Sequence, residues 1–305
     1  MSIEVSGLTK LYGTQKALDD VTFSVKKGDI LGFLGPNGAG KSTTMKILSC
    51  FIPQSSGQAA ICGMDVKTDS LRIRKVLGYL PESNPLYKDM YIKEYLTYIA
   101  KLYDLPDPGQ RVKDMIELTG LGKEQKKLIS QISKGYKQRV GLAQAMIHNP
   151  EVLIMDEPTS GLDPNQLAEI RNVIREIGKE KVVIFSTHIM QEVEALCNRV
   201  VIINKGKIVI DDDIKQLSNI SKGNNTVTIQ YAAGGRFEEK DFYSIPLLKE
   251  IVKIDALSYR FTSDDRHDIR TELFDASVRA GLKIIRMEQN TFSMEDVFQQ
   301  LTSSN

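Results

Sequence analysis

The sequence predicts an α/β fold around a buried parallel sheet, and three stretches carry that expectation. Residues 35–43 read Gly-Pro-Asn-Gly-Ala-Gly-Lys-Ser-Thr, between an apolar run (Ile30, Leu31, Phe33, Leu34) and a helix-like stretch ending at Leu48. Residues 152–155 and 182–185 are two further, continuously apolar runs. Strands buried on both faces read this way, because neither face calls for polar alternation. Each of these runs ends in reactive residues: Asp156-Glu157 after one, Ser186-Thr187-His188 after the other. Open α/β sheets bind ligands beyond the carboxyl ends of their strands. Glu157 and His188 are therefore expected on one edge.

Residues 35–43 fit the template Gly, four residues, Gly-Lys-Ser/Thr, with Gly35, Gly40, Lys41 and Ser42 in register. Strand, glycine loop and helix are what phosphate binding needs. Gly35, Pro36, Asn37, Gly38, Ala39 and Gly40 let backbone N–H groups close around a phosphate. The helix entered at Thr43 adds about half a positive charge at its start. Lys41 has the reach for β- and γ-phosphates, and the Ser42 hydroxyl suits Mg²⁺.

Taken in order, residues 1–25 alternate around Ile3 to Val5 and Val21 to Val25, as an antiparallel flank would. Tyr12 falls between them beside Gly13 and has two readings, stacking on an adenine ring or packing on its own loop. Pro53-Gln54-Ser55-Ser56-Gly57 is a turn, and residues 59–62 and 76–80 read as strands, the second stopping at Pro81-Glu82. Residues 85–130 change period: Tyr91, Tyr95, Leu96, Ile99, Leu102 and Tyr103, then Val112, Met115, Ile116 and Leu118, recur at helical spacing. This predicts a helical insertion, about 83–150, whose tyrosines belong to its core or an interface. Lys123, Lys126 and Lys127 read as a solvated face.

Ser133 and Gly135 stand at the head of the next helix, followed by Val140, Ala143, Met146 and Ile147; a serine there is usually a cap. Asp156 suits a Mg²⁺ partner and Glu157 a base for water. Asp163-Pro164 opens another helix, with aspartate as N-cap and proline in the first turn. Residues 200–203 and 208–210 pair about Lys205-Gly206, and residues 211–213 read as a turn and helix cap. Residues 221–225 are polar and predict a linker. Beyond it, strands are expected at 227–230, 251–261 and 282–286, with helices at 268–280 and 294–301. That second, small α/β domain (226–305) contains no motif with evident chemistry.

The totals agree. With 305 residues, two domains are expected; 41% apolar residues suffice for a real core. Lys plus Arg number 40 and Asp plus Glu 39, a net charge of +1, which argues against a broad nucleic-acid footprint. Cys50, Cys62 and Cys197 show no paired spacing and suit a reducing compartment. There is no basic-then-apolar leader, and no apolar run approaches the roughly 18 residues that span a bilayer. A membrane role would need another chain to do the spanning.

In this order the motifs resemble the ATP-binding subunits of ABC transporters over residues 1–220, with one cassette. Tyr12 matches the family's adenine-stacking aromatic, residues 35–43 its Walker A, and residues 152–157 its Walker B with the catalytic glutamate. Ser160-Gly161-Leu162-Asp163 matches the D-loop and His188 the switch histidine. There are two departures. The family signature commonly reads Leu-Ser-Gly-Gly-Gln; here it is Ile132-Ser133-Lys134-Gly135-Tyr136. Glu82 replaces the glutamine of the coupling loop. Residues 79–87 and the ending Met294-Glu295-Asp296-Val297-Phe298 look most like the ABC-2 export branch, and within it the ATP-binding subunits associated with bacterial gliding motility.

The resemblance implies a P-loop NTPase cassette on which two copies meet head to tail. Each ATP would lie between one chain's Walker A and the other's Ser133 and Gly135, flanked by Lys134 and Tyr136. Ser42 and Asp156 would hold Mg²⁺, Glu157 would polarise water, and His188 would keep the γ-phosphate in line. Motion would pass through Glu82 to a transmembrane permease, placing the protein in the cytoplasm on the inner membrane face. ABC ATPases of DNA repair or the ribosome are the second reading. The repair type has a long coiled-coil insertion where this chain has about fifty residues, and the ribosomal type usually has two cassettes. A GTPase or kinase with a similar loop leaves residues 160–163 and His188 unexplained.

Overall fold

The computed structural model describes residues 2–221, 224–264 and 268–291, with Glu295, Phe298 and Thr302 beyond them. The chain divides into two compact units, Met1–Ile214 and Lys215–Asn305.

The first unit begins with a long hairpin, β1 (Ile3–Tyr12) and β2 (Gln15–Val25). Ile3, Val5, Val21, Phe23 and Val25 face inward, and the polar residues between them face out, as the two-residue period dictates. Tyr12 pairs with Gln15, so it closes β1 and does not sit in a separate loop. Then follow β3 (Ile30–Leu34), α1 (Lys41–Leu48), β4 (Ser56–Ile61), β5 (Met64–Asp65), α2 (Ser70–Val76) and β6 (Leu77–Leu80). The strands β2-β1-β4-β5 form an antiparallel sheet.

The helical insertion supplies α3 (Ile92–Leu102), α4 (Pro108–Leu118) and α5 (Lys134–Met146), which pack on one another; α5 also packs on β6. Asp107 caps α4, accepting from Gln110 N, with Pro108 in its first turn. Tyr95 is buried and donates to Gln144 Oε1 at 2.6 Å, whereas Tyr91 and Tyr98 are exposed.

The remaining elements are β7 (Val152–Asp156), α6 (Pro164–Gly178), β8 (Val182–Thr187), α7 (Met190–Leu196), β9 (Arg199–Asn204) and β10 (Lys207–Asp213). They complete a six-stranded sheet in the order β10-β9-β3-β8-β7-β6, parallel except for β10. Leu31, Phe33, Ile154, Ile184 and Val201 join Met45 and Ile47 of α1 and the hairpin in one core. The alternate residues, including Leu153, Met155, Val183 and Phe185, are buried as well, so both faces are covered. Residues 211–213 are not the expected turn: they continue β10, with Asp211 opposite Val201 and Asp213 opposite Arg199. Arg199 donates to both carboxylate oxygens of Asp211, at 2.8 and 2.7 Å, and that pair keeps an acidic stretch in the ladder. The helix α8 (Ile214–Ser221) then follows directly.

In the second unit the strands are β11 (Asn224–Tyr231), β12 (Leu248–Lys253), β13 (Ser258–Asp264) and, after α9 (Arg270–Arg279), β14 (Ile284–Thr291). Their order is β12-β13-β11-β14 and all pairings are antiparallel. The single strand expected over 251–261 is in fact two, because Asp255 Oδ1 accepts from Leu257 N and Ser258 N and turns the chain. Val227, Ile229, Phe261, Leu273 and Ala276 form the core of this unit. The terminal helix expected over 294–301 lies largely outside the described residues.

Candidate active site

The parallel strands bring four chain segments to one edge. Residues 35–40 leave β3, Glu82 follows β6, Glu157 follows β7 and His188 follows β8. The loop leaving β3 packs too tightly for a side chain at two of its positions, Gly35 and Gly40. A Cβ on Gly35 would overlap Ile203 O, and one on Gly40, at φ +114°, would lie 2.7 Å from Ala17 O. The first α1 hydrogen bond runs from Thr44 N to Gly40 O at 3.0 Å. The amides of Lys41, Ser42 and Thr43 therefore precede the helical ladder and are free for an anion.

Lys41 is 5% exposed, and its Nζ donates to Gly35 O at 2.7 Å and Pro36 O at 3.2 Å. Burial pulls its ammonium below the usual lysine range, while Glu157, 3.7 Å away, opposes that shift. Ser42 Oγ donates to Asp156 Oδ1 at 3.1 Å. Ser186 Oγ donates to the same oxygen at 2.5 Å and accepts from Glu157 N at 3.1 Å. Glu157 leaves the strand at φ +51°, a left-handed conformation that costs a non-glycine residue energy and redirects the chain at the sheet's edge. Its carboxylate meets His188 Nδ1 at 3.1 Å.

A cavity of about 400 Å³ opens here, lined by Asn37, Gly38, Gly40, Lys41, Ser42, Thr43, Glu82, Glu157, Ser160 and His188, with Gln15 and Ala17 of β2. Tyr12, half exposed at the tip of that hairpin, is not among the lining residues; Lys10 Nζ lies 5.3 Å from its ring centroid. Ser133, Lys134, Gly135 and Tyr136 are elsewhere too. Ser133 caps α5, accepting from Tyr136 N at 3.4 Å. Asp163 caps α6, accepting from Asn165 N and Gln166 N at 3.0 and 2.9 Å.

A family model described as "ABC transporter" matches residues 18–160. An uncharacterized ABC transporter ATP-binding protein of Bacillus subtilis, YxlF, is 35% identical across 97% of this chain and 98% of its own. The chain belongs to the ABC transporter ATP-binding proteins. The bacitracin transport ATP-binding protein BcrA of Bacillus licheniformis is 40% identical over 68% of each chain. A solved ATP-binding subunit of an ABC transporter superposes with TM-score 0.66 at 29% identity, over 72% of this chain and 93% of that one.

The chain is thus an ATP-binding, ATP-hydrolysing cassette protein with the expected P-loop fold. The geometry fits the nucleotide: free amides, a buried ammonium and a glycine-shaped wall surround one cavity. It also fits Mg²⁺, which takes one or two protein oxygens beside phosphates and water. Ser42 Oγ and Asp156 Oδ1 converge as such a pair, and among the described residues no cluster of three acidic, His or Cys side chains offers a fuller cage. Sequence reasoning gave Ser186 no role. The register of β7 against β8 pairs it with Asp156, which two separate runs do not reveal. It also missed Asn84, whose Nδ2 donates to Lys137 O at 2.9 Å and ties the Glu82 loop to α5, where Gly141 leaves room for it.

Proposed function

We propose that two copies of this cassette, residues 1–220 of each, work head to tail beneath a membrane permease of the export type. The carrying observation is that the site is half a site. Lys41, Ser42, Glu157 and His188 converge on one cavity, with Asp156 buried directly behind Ser42, while the signature residues of the same chain lie outside its lining. A second copy can supply them.

Each residue has a role in this reading. The amides of Lys41, Ser42 and Thr43 and the Lys41 ammonium hold the phosphates, and Tyr12 takes the adenine. Ser42 and Asp156 would hold Mg²⁺, which would supply positive charge beside the phosphates. Glu157 polarises water, which attacks the γ-phosphorus as the bond to the bridging oxygen breaks, yielding ADP and phosphate. His188 orients Glu157 through Nδ1. Ser133 and Gly135, with Lys134 and Tyr136 beside them, face the partner's nucleotide. Asp163 caps the helix behind the D-loop, and Glu82 reports to the permease. Residues 226–305 form an accessory domain.

No helix among the described residues is long and apolar enough to cross a membrane. We place the protein in the cytoplasm, held on the inner face by its permease, with no nucleic-acid partner. Export is supported by residues 79–87, and a transport role by the bacitracin-transport relative. The names of the relatives give no support to the gliding-motility resemblance, so the proposal rests on export alone. A tagged chain purified from detergent-solubilised membranes should carry an integral membrane protein with it, and deleting that protein should release the chain from membranes. A wholly soluble distribution in both strains would contradict the assignment.

A further inference from the structure

The first turns of α5 and α6 are fitted to each other by contacts that nucleotide binding itself does not require. A Cβ on Gly135 would overlap the carboxamide of Gln166, so the glycine lets that side chain lie directly on the signature turn. One residue earlier, Lys134 lies along the D-loop: a Cβ on Gly161 would come within 2.5 Å of its Nζ. One turn later, Arg139 of α5 pairs with Glu169 of α6. Arg139 is 6% exposed, donates to Thr119 O at 3.4 Å and lies 5.2 Å from the Tyr136 ring centroid. Residues four apart on α5 and three apart on α6 share a face, so the contacts form one seam.

The seam continues to the catalytic acid. Asp163 accepts from Gln166 N at 2.9 Å and fixes the turn that carries Gln166. Leu162 N donates to Thr159 O at 3.3 Å and Ser160 N to Glu157 O at 3.2 Å, so the D-loop runs in consecutive turns back to Glu157.

We propose that Gln166, flanked by the Lys134–Gly161 contact and the Arg139–Glu169 pair, is a positioning residue that locks the signature turn to the D-loop and to Glu157 of the same chain. This rests on the head-to-tail reading above. There, Ser133 and Gly135 grip the partner's nucleotide, while Glu157 of the same chain serves the other site. A nucleotide in one site then bears on the base of the other, and the two sites fire together. Gln166 acts through shape, by filling the space over Gly135.

The full chain should be compared with Gln166→Ala, Gln166→Met and Glu169→Gln, by ATP-dependent hydrolysis and by size exclusion with ATP in a Glu157→Gln background. Glu169 is mostly exposed, and its Gln variant keeps the shape while removing the charge opposite Arg139. Wild type should hydrolyse cooperatively, with a Hill coefficient approaching about 2, the number of sites. Gln166→Ala should still dimerise with saturating ATP, yet fall to a Hill coefficient of about 1. Glu169→Gln should fall part-way, and Gln166→Met, which keeps the bulk, should retain cooperativity. Gln166→Ala with undiminished cooperativity, or a dimeric wild type with none, would overturn the proposal. A Glu157→Gln chain that stays monomeric with saturating ATP would instead overturn the head-to-tail reading beneath it.

Discussion

His188 Nδ1 lies 3.1 Å from both carboxylate oxygens of Glu157, so the imidazole straddles the acid. A carboxylate accepts, so Nδ1 carries the hydrogen, and Nε2 is left for another partner. Lys41 Nζ approaches the same carboxylate from 3.7 Å. The acid is thus held by His188, just past the end of β8, and by Lys41, at the start of the helix that follows β3, and the parallel sheet is what brings them together.

Glu82 shares the cavity with Lys41 and Ser42. Glu82→Gln removes a negative charge near the phosphates at almost constant shape. Nucleotide affinity should stay within a few-fold of wild type, and the ratio of hydrolysis with and without the permease should change. Nucleotide titrations of the purified chain and hydrolysis in permease-containing vesicles measure the two. A complete loss of nucleotide affinity would make Glu82 a direct ligand.

Ser186 donates to the Asp156 oxygen that Ser42 also contacts. Ser186→Ala leaves this buried carboxylate one donor short. Groups behind a metal ligand typically matter about 10–100-fold for metal affinity. Half-saturation of hydrolysis by Mg²⁺ at constant ATP should therefore rise by about that factor. An unchanged Mg²⁺ titration would show that Ser186 does not position Asp156 for Mg²⁺.

The shared edge of the sheet was legible in the sequence where its signals are local. Residues 35–43 carry their own context, and Glu157 and His188 each end an unmistakably buried strand. What depends on register was not legible. Ser186 reaches Asp156 only because β7 and β8 pair those two positions. Nor was the continuation of β10 through three aspartates, since their propensity favours a turn and Arg199, distant in sequence, decides otherwise. The turn before β13 did leave a signal. Asp255 could have been read as an Asx turn that splits the apolar stretch 251–261.

His148 is stacked on Tyr103, with ring centroids 4.1 Å apart, and its Nε2 contacts Leu77 O at 3.1 Å. Burial first, then the nearby Arg111 and Lys181, push its pKa down to about 4 from an ordinary 6.5, against the opposing Leu77 contact. Between those values the unfolded chain binds a proton that the folded chain does not, so stability is lost as pH falls from about 6.5 to about 4. Allowing for partial exposure, this site should contribute a loss of about 2 kcal/mol. Urea unfolding of wild type and His148→Gln at pH 7, 5.5 and 4.5 isolates it. The variant should lose less stability over that interval. Parallel losses in both proteins would assign the pH effect to other groups.

The central claim is that Glu157 does the chemistry while binding is spread over the loop amides, Lys41, Ser42 and Tyr12. Its most direct test is hydrolysis and size exclusion, with and without Mg-ATP, of Glu157→Gln beside Lys41→Ala. Glu157→Gln should bind Mg-ATP as wild type does, turn over at least about 10²-fold more slowly and accumulate as an ATP-bound dimer. Lys41→Ala should lose tight binding and remain monomeric. Near-normal turnover by Glu157→Gln would contradict the catalytic assignment, and an inactive Glu157→Gln that stays monomeric with saturating ATP would contradict the two-chain site.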